Sequence, residues 1–160
     1  MQQVLLSVGS NMGNARAAVE RALEALERDV FVTCTRSSLW LTEPVGYRDQ
    51  NSFVNAAIVG STTLDAEQVH TACKNLEVTL GRTQRERWRE REIDIDVILA
   101  NSTIIREAHL EIPHPRFAER MFVLVPANEI APTMLCPLRH TTIAELLQLC
   151  TDTSAVTLAP

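Results

Sequence analysis

Two carboxylates at alternate positions of an apolar run are the most chemically pointed feature of this 160-residue chain. Ile93-Asp94-Ile95-Asp96-Val97 has the period of a β-strand, which puts Asp94 and Asp96 on one face about 6.6–6.8 Å apart along the strand. Bare charges at ~7 Å repel by roughly 2 kcal/mol at an effective dielectric near 20. A divalent cation between them turns that repulsion into attraction. Carboxylate oxygens suit Mg²⁺, which keeps waters and takes its remaining ligands from substrate phosphates. On spacing alone, a solvated strand face carrying two acids is an equal alternative. The segment leading into this strand holds Arg82, Arg85, Arg87, Arg89 and Arg91. Guanidinium forks bind phosphate oxygens bidentately. For any one arginine, interleaved with Glu86, Glu90 and Glu92, a solvated loop is the simpler reading. Together the acids and the cationic segment form the electrostatic arrangement that phosphoryl transfer uses.

Further candidates are weaker singly. Pro113-His114-Pro115-Arg116, with Arg120, holds an imidazole rigidly among cations; histidine alone normally titrates near neutrality, and a structured turn with an exposed His is the bland alternative. Phe53-x-Asn55 with Pro44-Val45-Gly46 suggests an aromatic slot with an amide, whose donor and acceptor together can read a planar heterocycle. Phe53 as a core residue is the simpler reading in isolation. Trp88, amid arginines with little core to join, suits a lid. Gly9-Ser10-Asn11-Met12-Gly13 precedes a helix but lacks the lysine of a phosphate loop and the spacing of a dinucleotide fingerprint. His70, Cys73 and Glu77 fall on adjacent helical turns, but Cys73 lies on the apolar stripe, against a zinc site.

The elements that must position these residues follow from hydropathy. Val4 to Val8 predicts a buried strand. A helix follows, capped by Asn14 and running to about Arg28, with Ala15, Ala18, Val19, Ala22, Leu23 and Leu26 as its stripe. Val30 to Thr35, extending toward Leu41, is strand-like. A polar loop then runs to Ser52, and Phe53 to Thr62 is another strand. Asp65-x-x-Gln68 reads as a capping box. Its helix buries Val69, Ala72, Cys73, Leu76 and Leu80, with Gly81 just past the end. Residues 82–92 read as a charged loop, and Ile93 to Ala100 as a strand with Ile93, Ile95, Val97 and Leu99 on one face. Residues 101–116 are irregular, Phe122 to Val125 is a short apolar run ended by Pro126, and Thr142-x-x-Glu145 caps a final short helix. The order β-α-β-β-α-β with a C-terminal helical extension predicts one α+β domain over 1–160. It is a ferredoxin-like sandwich, a mainly antiparallel sheet with helices on one face and the other face available for a ligand.

Composition sets the class. The chain is 46% hydrophobic and 22% charged with net charge −5, an ordinary globular balance that argues against general nucleic-acid or membrane binding. Fourteen of the fifteen basic residues are Arg, and Lys74 is the sole Lys. An acidic chain with concentrated arginines points to a local anion site. No run approaches ~18 apolar residues, and the N-terminus does not resemble a signal peptide. The cytoplasm is therefore the expected compartment, and the four cysteines are expected as buried free thiols. A monomer is the default, since no extended exposed apolar stripe stands out.

The motifs in order resemble the 6-hydroxymethyl-7,8-dihydropterin pyrophosphokinase family of folate biosynthesis. They are Gly9-Ser10-Asn11-x-Gly13, Thr42-x-Pro44-Val45-Gly46-x-x-Asp49-Gln50-x-x-Phe53-x-Asn55, Glu77-x-x-x-Gly81-Arg82, Trp88-x-x-Arg91-x-Ile93-Asp94-Ile95-Asp96 and Ile112-Pro113-His114 followed by Arg120-x-Phe122. The resemblance implies transfer of the β,γ-pyrophosphoryl group of ATP to the pterin hydroxymethyl oxygen, releasing AMP. It implies that Asp94 and Asp96 hold two Mg²⁺, and that Arg82 and Arg91 are catalytic cations on a loop closing with Trp88. Glu77, His114 and Arg120 are implied at the nucleotide, with Ile98 near the base. Thr42, Pro44, Val45, Gly46, Phe53, Asn55 and Phe122 are implied at the pterin, with Phe53 and Phe122 sandwiching the ring. Family members usually carry Pro before the second loop arginine, where this chain has Glu90. Two alternatives remain: a non-catalytic ferredoxin-like module binding nucleotide or RNA, and a low-activity paralogue, for which Glu90 is the support. Acidic net charge and the lack of paired sheet aromatics count against RNA.

Overall fold

The continuous apolar run at the N-terminus forms an interior strand of a sheet, with both of its faces covered. The computed structural model describes residues 1–43, 50–82 and 92–160. In chain order the described elements are β1 (Gln2–Ser10), α1 (Ala15–Asp29), β2 (Thr33–Arg36), β3 (Trp40–Thr42), β4 (Phe53–Thr62), α2 (Ala66–Thr79) and β5 (Asp94–Ala100). A hairpin of β6 (Ile105–Arg106) and β7 (Glu111–Ile112) follows, then α3 (Met121–Ile130), a hairpin of β8 (Leu135–Cys136) and β9 (Thr141–Thr142), α4 (Ile143–Leu149) and β10 (Val156–Leu158). The main sheet has the order β10-β3-β4-β1-β5, with β2 also on β4, and its pairings are antiparallel. This is the expected ferredoxin-like α+β arrangement.

The local signals behave as their chemistry requires. Asn14 accepts from Ala17 N at 3.0 Å. Asp65 and Gln68 form the reciprocal capping box, as do Thr142 and Glu145. Gly81 takes φ +96° just beyond α2, a conformation that costs glycine little. The first core lies between the sheet and α1–α2, joining Val4, Leu6 and Val8 to Val19, Leu23, Leu26, Val69 and Cys73.

Several expectations need correction. Helices cover both faces: α3 and α4 bury Leu5, Ala57, Ile98 and Leu99 on the far side, in a second core with Phe117, Leu124 and Ile143. The expected open face is thus reduced to one end of the sheet. Pro126 does not end the apolar run but sits inside α3. An interior proline costs a helix ~3 kcal/mol, whereas each large aliphatic chain buried, such as Val123 and Leu124 here, returns roughly 1.5–3 kcal/mol. Tertiary burial wins. The strand from Val30 toward Leu41 is broken into β2 and β3 at Ser37, whose N–H donates to Ala57 O at 2.9 Å while its Oγ accepts from Ala57 N at 2.8 Å. Finally, the C-terminal extension is not only helical, since β10 adds a strand to β3, and residues 101–116 include the β6–β7 hairpin.

The strand carrying the carboxylates has its own irregularity. β5 pairs Leu99 with Leu5 but Val97 with Leu6, a bulge that inserts Ile98. Ile95 and Val97 point into the first core, while Ile98 and Leu99 both belong to the second. The expectation that Leu99 shares a face with Ile93 and Ile95 fails for that reason, because a bulge shifts the period-two alternation by one residue.

Candidate active site

Register assembles the predicted residues on one face. Asp96 lies opposite Ser7 and Asp94 opposite Gly9. Gly9 in turn lies opposite Asn55, which lies opposite Trp40, and Phe53 faces Thr42. Directly paired residues of an antiparallel ladder share a face, so Asp94, Asp96, Asn55, Phe53 and Thr42 form a single floor across four strands. It continues the face that α3 and α4 cover farther along. Asn55 Nδ2 donates to Thr42 Oγ1 at 2.6 Å, and both residues are buried. A Cβ at position 9 would stand 2.4 Å from Asn55 Oδ1, so only glycine lets the amide lie there. Ser10 Oγ donates to Glu92 O at 2.6 Å. Asn11 Nδ2 donates to Gln50 Oε1 at 2.9 Å and to Asn51 O at 3.2 Å. The Gly9-Ser10-Asn11 motif thus sets the floor and ties down the chain on two sides of it.

The β5 edge is charged. Glu77, at 3% exposure, accepts from Ile95 N at 2.7 Å, from Lys74 Nζ at 3.0 Å and from Arg82 Nη1 at 2.8 Å. Arg82 Nη1 also lies 2.8 Å from Asp94 Oδ1, so the guanidinium bridges the two acids. Expected at the nucleotide, Glu77 instead directs its carboxylate inward, fixing β5 and the bases around it. Lys74, which sequence reasoning passed over, also donates to Ile95 O at 3.2 Å. Its signal was its three-residue spacing from Glu77, a helical pair. Burial opposes its charge, but Glu77, Asp96 and Asp94 together hold its pKa above the ordinary lysine value. Burial and the neighbouring Asp94 charge push Asp96 up to about 7.

His114 closes this edge. Its N–H donates to Ile98 O at 3.0 Å, and Nε2 stands 3.9 Å from Asp96 Oδ2. Arg116 N donates to Nδ1 at 3.2 Å, which leaves Nε2 to carry the proton of the neutral ring. Burial, then the Arg120 charge, lowers His114 to about 4. The cleft of about 250 Å³ beside it is lined by His70, Lys74, Asp96, Leu110 and His114. Ile98, expected near a base, has its side chain buried in the second core. Arg120 and Phe122 stand at the start of α3, with the guanidinium carbon 5.6 Å from the ring centroid. Pro44, Val45, Gly46, Arg85, Arg87, Trp88, Arg89, Glu90 and Arg91 lie outside the described residues.

The donor set fits a hard cation. Asp94 and Asp96 share a face, and a positive ion beside them would relieve the charge that raises Asp96. Among the described residues no group of three His, Cys, Asp or Glu converges into a full protein cage, and Mg²⁺ does not ask for one, since waters and phosphates complete its shell. The His70-Cys73-Glu77 triad is not gathered: Cys73 is buried in the first core and Glu77 bonds β5. All four cysteines are free thiols, as expected, but only Cys73 and Cys136 are buried, while Cys34 and Cys150 are half-exposed. No helix among the described residues is long and apolar enough to cross a membrane.

Comparison with known proteins decides the family. Residues 5–132 match the model of the 7,8-dihydro-6-hydroxymethylpterin-pyrophosphokinase (HPPK) family. The chain belongs to the HPPK family. Its curated relatives include the 2-amino-4-hydroxy-6-hydroxymethyldihydropteridine pyrophosphokinase of Bacillus subtilis, 39% identical over 78% of this chain and 75% of that protein. The protein of the same name from Methylorubrum extorquens is 37% identical over 84% of this chain and 86% of the relative. Among solved structures, wild-type Plasmodium falciparum HPPK-DHPS superposes with a TM-score of 0.74 at 16% identity, covering 92% of this chain and 44% of that one. That likeness carries the HPPK fold, and this chain spans less than half of the Plasmodium protein.

Proposed function

We propose that this chain transfers the β,γ-pyrophosphoryl group of ATP to the hydroxymethyl oxygen of 6-hydroxymethyl-7,8-dihydropterin, giving the pterin diphosphate and AMP in folate biosynthesis. The observation that carries the reading is the single floor on which family membership, paired carboxylates and a buried amide coincide. Nothing in the fold favours the RNA-binding alternative.

In this reading Asp94 and Asp96 hold two Mg²⁺ ions, which when bound neutralise the triphosphate and acidify the pterin alcohol. Arg82, already seated on Asp94, presents its remaining guanidinium N–H groups to the oligophosphate. Glu77 acts through Arg82 and Lys74 by holding both cations at the β5 edge. His114, neutral at pH 7, donates from Nε2 to a phosphate oxygen, and Arg120 adds a fixed positive charge. Arg91 and Trp88 complete the set as a closing cation and lid, the roles that the family resemblance implies. On the neutral edge Asn55, held by Thr42, bonds the polar rim of the pterin, Phe53 and Phe122 flank the ring, and Pro44, Val45 and Gly46 take the pterin-binding roles that the family resemblance implies. No described side chain is needed as a strong base for in-line attack at the β-phosphorus. We read the enzyme as a cytoplasmic monomer.

The test is to mix the chain with Mg²⁺, ATP and the pterin alcohol and to resolve the nucleotides. AMP should appear in step with the pterin diphosphate, and omission of Mg²⁺ should stop both. ADP as the sole nucleotide product would overturn the reading.

A further inference from the structure

Helix α3 carries at its start Arg120, whose charge reaches Asp96, and Phe122 under the Arg120 guanidinium, yet its N-terminus has no local cap. The residue at the cap position is Arg120, which makes no side-chain capping bond, and the first turn holds no acid. The first-turn donor is met from 31 residues away, where Met121 N donates to Asp152 Oδ2 at 2.9 Å. The other oxygen of that carboxylate accepts from Ser154 N at 2.9 Å and Ser154 Oγ at 2.6 Å, so its direction is set. Burial disfavours the charge on Asp152, but the Ser154 and Met121 bonds outweigh it and lower the pKa.

The same stretch of chain then reaches the other wall. β10 lies along β3 with Val156 opposite Thr42 and Leu158 opposite Trp40. Ala159 N donates to Leu39 O at 2.9 Å, and Arg16 Nη1 donates to Pro160 O. Residues 150–160 therefore tie the start of α3 to the strand that carries Thr42. The tying segment, residues 150–160, lies beyond residues 5–132, the part matched by the family model.

We infer that Asp152 is a positioning residue for the pterin half of the site, capping α3 from the C-terminal segment and so fixing Phe122 and Arg120 against the Thr42–Asn55 wall. The inference rests on the proposed function for the identity of the ligand. A carboxylate at a helix N-terminus satisfies an orphan N–H and favours the dipole. Without it the first turn frays, and the side chains carried there lose their fixed distance from β3 and β4. Cost falls on the ligand held between those walls, while the β5 edge keeps Asp94, Asp96 and Glu77 in place.

The experiment compares Asp152→Ala, Asp152→Asn and Asp65→Ala in the full chain. Asp65→Ala removes a cap of the same kind at the end of α2 remote from Glu77. Each variant is read by KM for pterin, KM for ATP and melting temperature, and by pterin Kd with Mg²⁺ and a non-hydrolysable ATP analogue. Asp152→Ala should raise pterin KM and Kd about tenfold and ATP KM by a smaller factor, about threefold, through the displaced Arg120. Asp152→Asn keeps one acceptor oxygen for Met121 N but turns an NH2 toward Ser154 N, and should recover part of the loss. Asp65→Ala should melt earlier with both KM values unmoved. Equal shifts in the two KM values for Asp152→Ala, or a change in melting alone, overturn the inference. Should Asp152→Ala fail to fold, Ser154→Ala, which removes one donor that orients the carboxylate, should show a smaller rise in pterin Kd, and no rise counts against the inference. A wild-type chain that binds pterin but forms no AMP sinks the proposed reaction while the Kd comparison still decides the role of Asp152. A wild type that binds no pterin sinks both.

Discussion

On the β5 edge of the floor, Glu77, Lys74, Arg82 and Asp94 form a run of ion pairs beside a second carboxylate. On the β3–β4 edge, Asn55 and Thr42 share one neutral hydrogen bond in a buried setting. The two edges lie only β1 apart, yet they are prepared for ligands in opposite ways. The neutral edge satisfies its polar atoms locally and fixes a shape, as a slot for an uncharged heterocycle should. At the charged edge burial and the Asp94 charge raise the Asp96 pKa against the opposing pull of Lys74 and Arg120, and a cation arriving with the ligand would lower it. The contrast teaches that preorganisation here means geometry on one side and unrelieved charge on the other.

Removing a carboxylate should break the charged edge without touching the neutral one. Asp94→Asn and Asp96→Asn are each expected to fold and to lower turnover at least a hundredfold, since metal-assisted charge stabilisation supplies several kcal/mol. Wild-type rates in either variant, with unchanged melting, would remove the metal role. The reciprocal change is Gly9→Ala, which drives a Cβ to 2.4 Å from Asn55 Oδ1 and should displace the amide. Loss of about one hydrogen bond corresponds to a roughly tenfold rise in pterin KM, with ATP KM within twofold. An equal rise in both KM values would show that the edges are not separable. The smallest effect is on stability against pH in metal-free protein. Asp96 is raised from the ordinary carboxylate range to about 7 in the folded state. Its contribution is fully present below about pH 4 and is lost as pH climbs through 7, because the folded state there binds more protons than the unfolded one. The melting temperature of the wild type should therefore fall relative to Asp96→Asn between pH 4 and 7. The opposite slope would mean that the carboxylate is already compensated without metal.

Much of this architecture is legible locally. The stripes of α1 and α2, the Asn14 cap, both capping boxes and Gly81 are decided within a few residues of themselves, and the structure carries them as the sequence predicts. Alternation likewise gives the shared face of Asp94 and Asp96. What escaped depends on partners far along the chain. Pro126 inside α3 is tolerated because a second core waits beneath it, and β10 exists because β3 offers an edge. The inward role of Glu77 is set by Ile95 N, eighteen residues away. Periodicity carries no trace of such pairings, whereas the motif series that spans the chain does mark which residues they gather.

The extra residue at Ile98 makes β5 a strand with two frames: its first half aims acids at the ligand, and its second half aims aliphatic groups at α3 and α4. Because Asp96 already lies opposite Ser7 and Leu99 opposite Leu5, losing the bulged residue would restore plain alternation and leave Asp94 and Asp96 on the ligand face. A codon deletion here would therefore spare the aim of the acids, and its cost would fall on the second core, which would lose the Ile98 side chain.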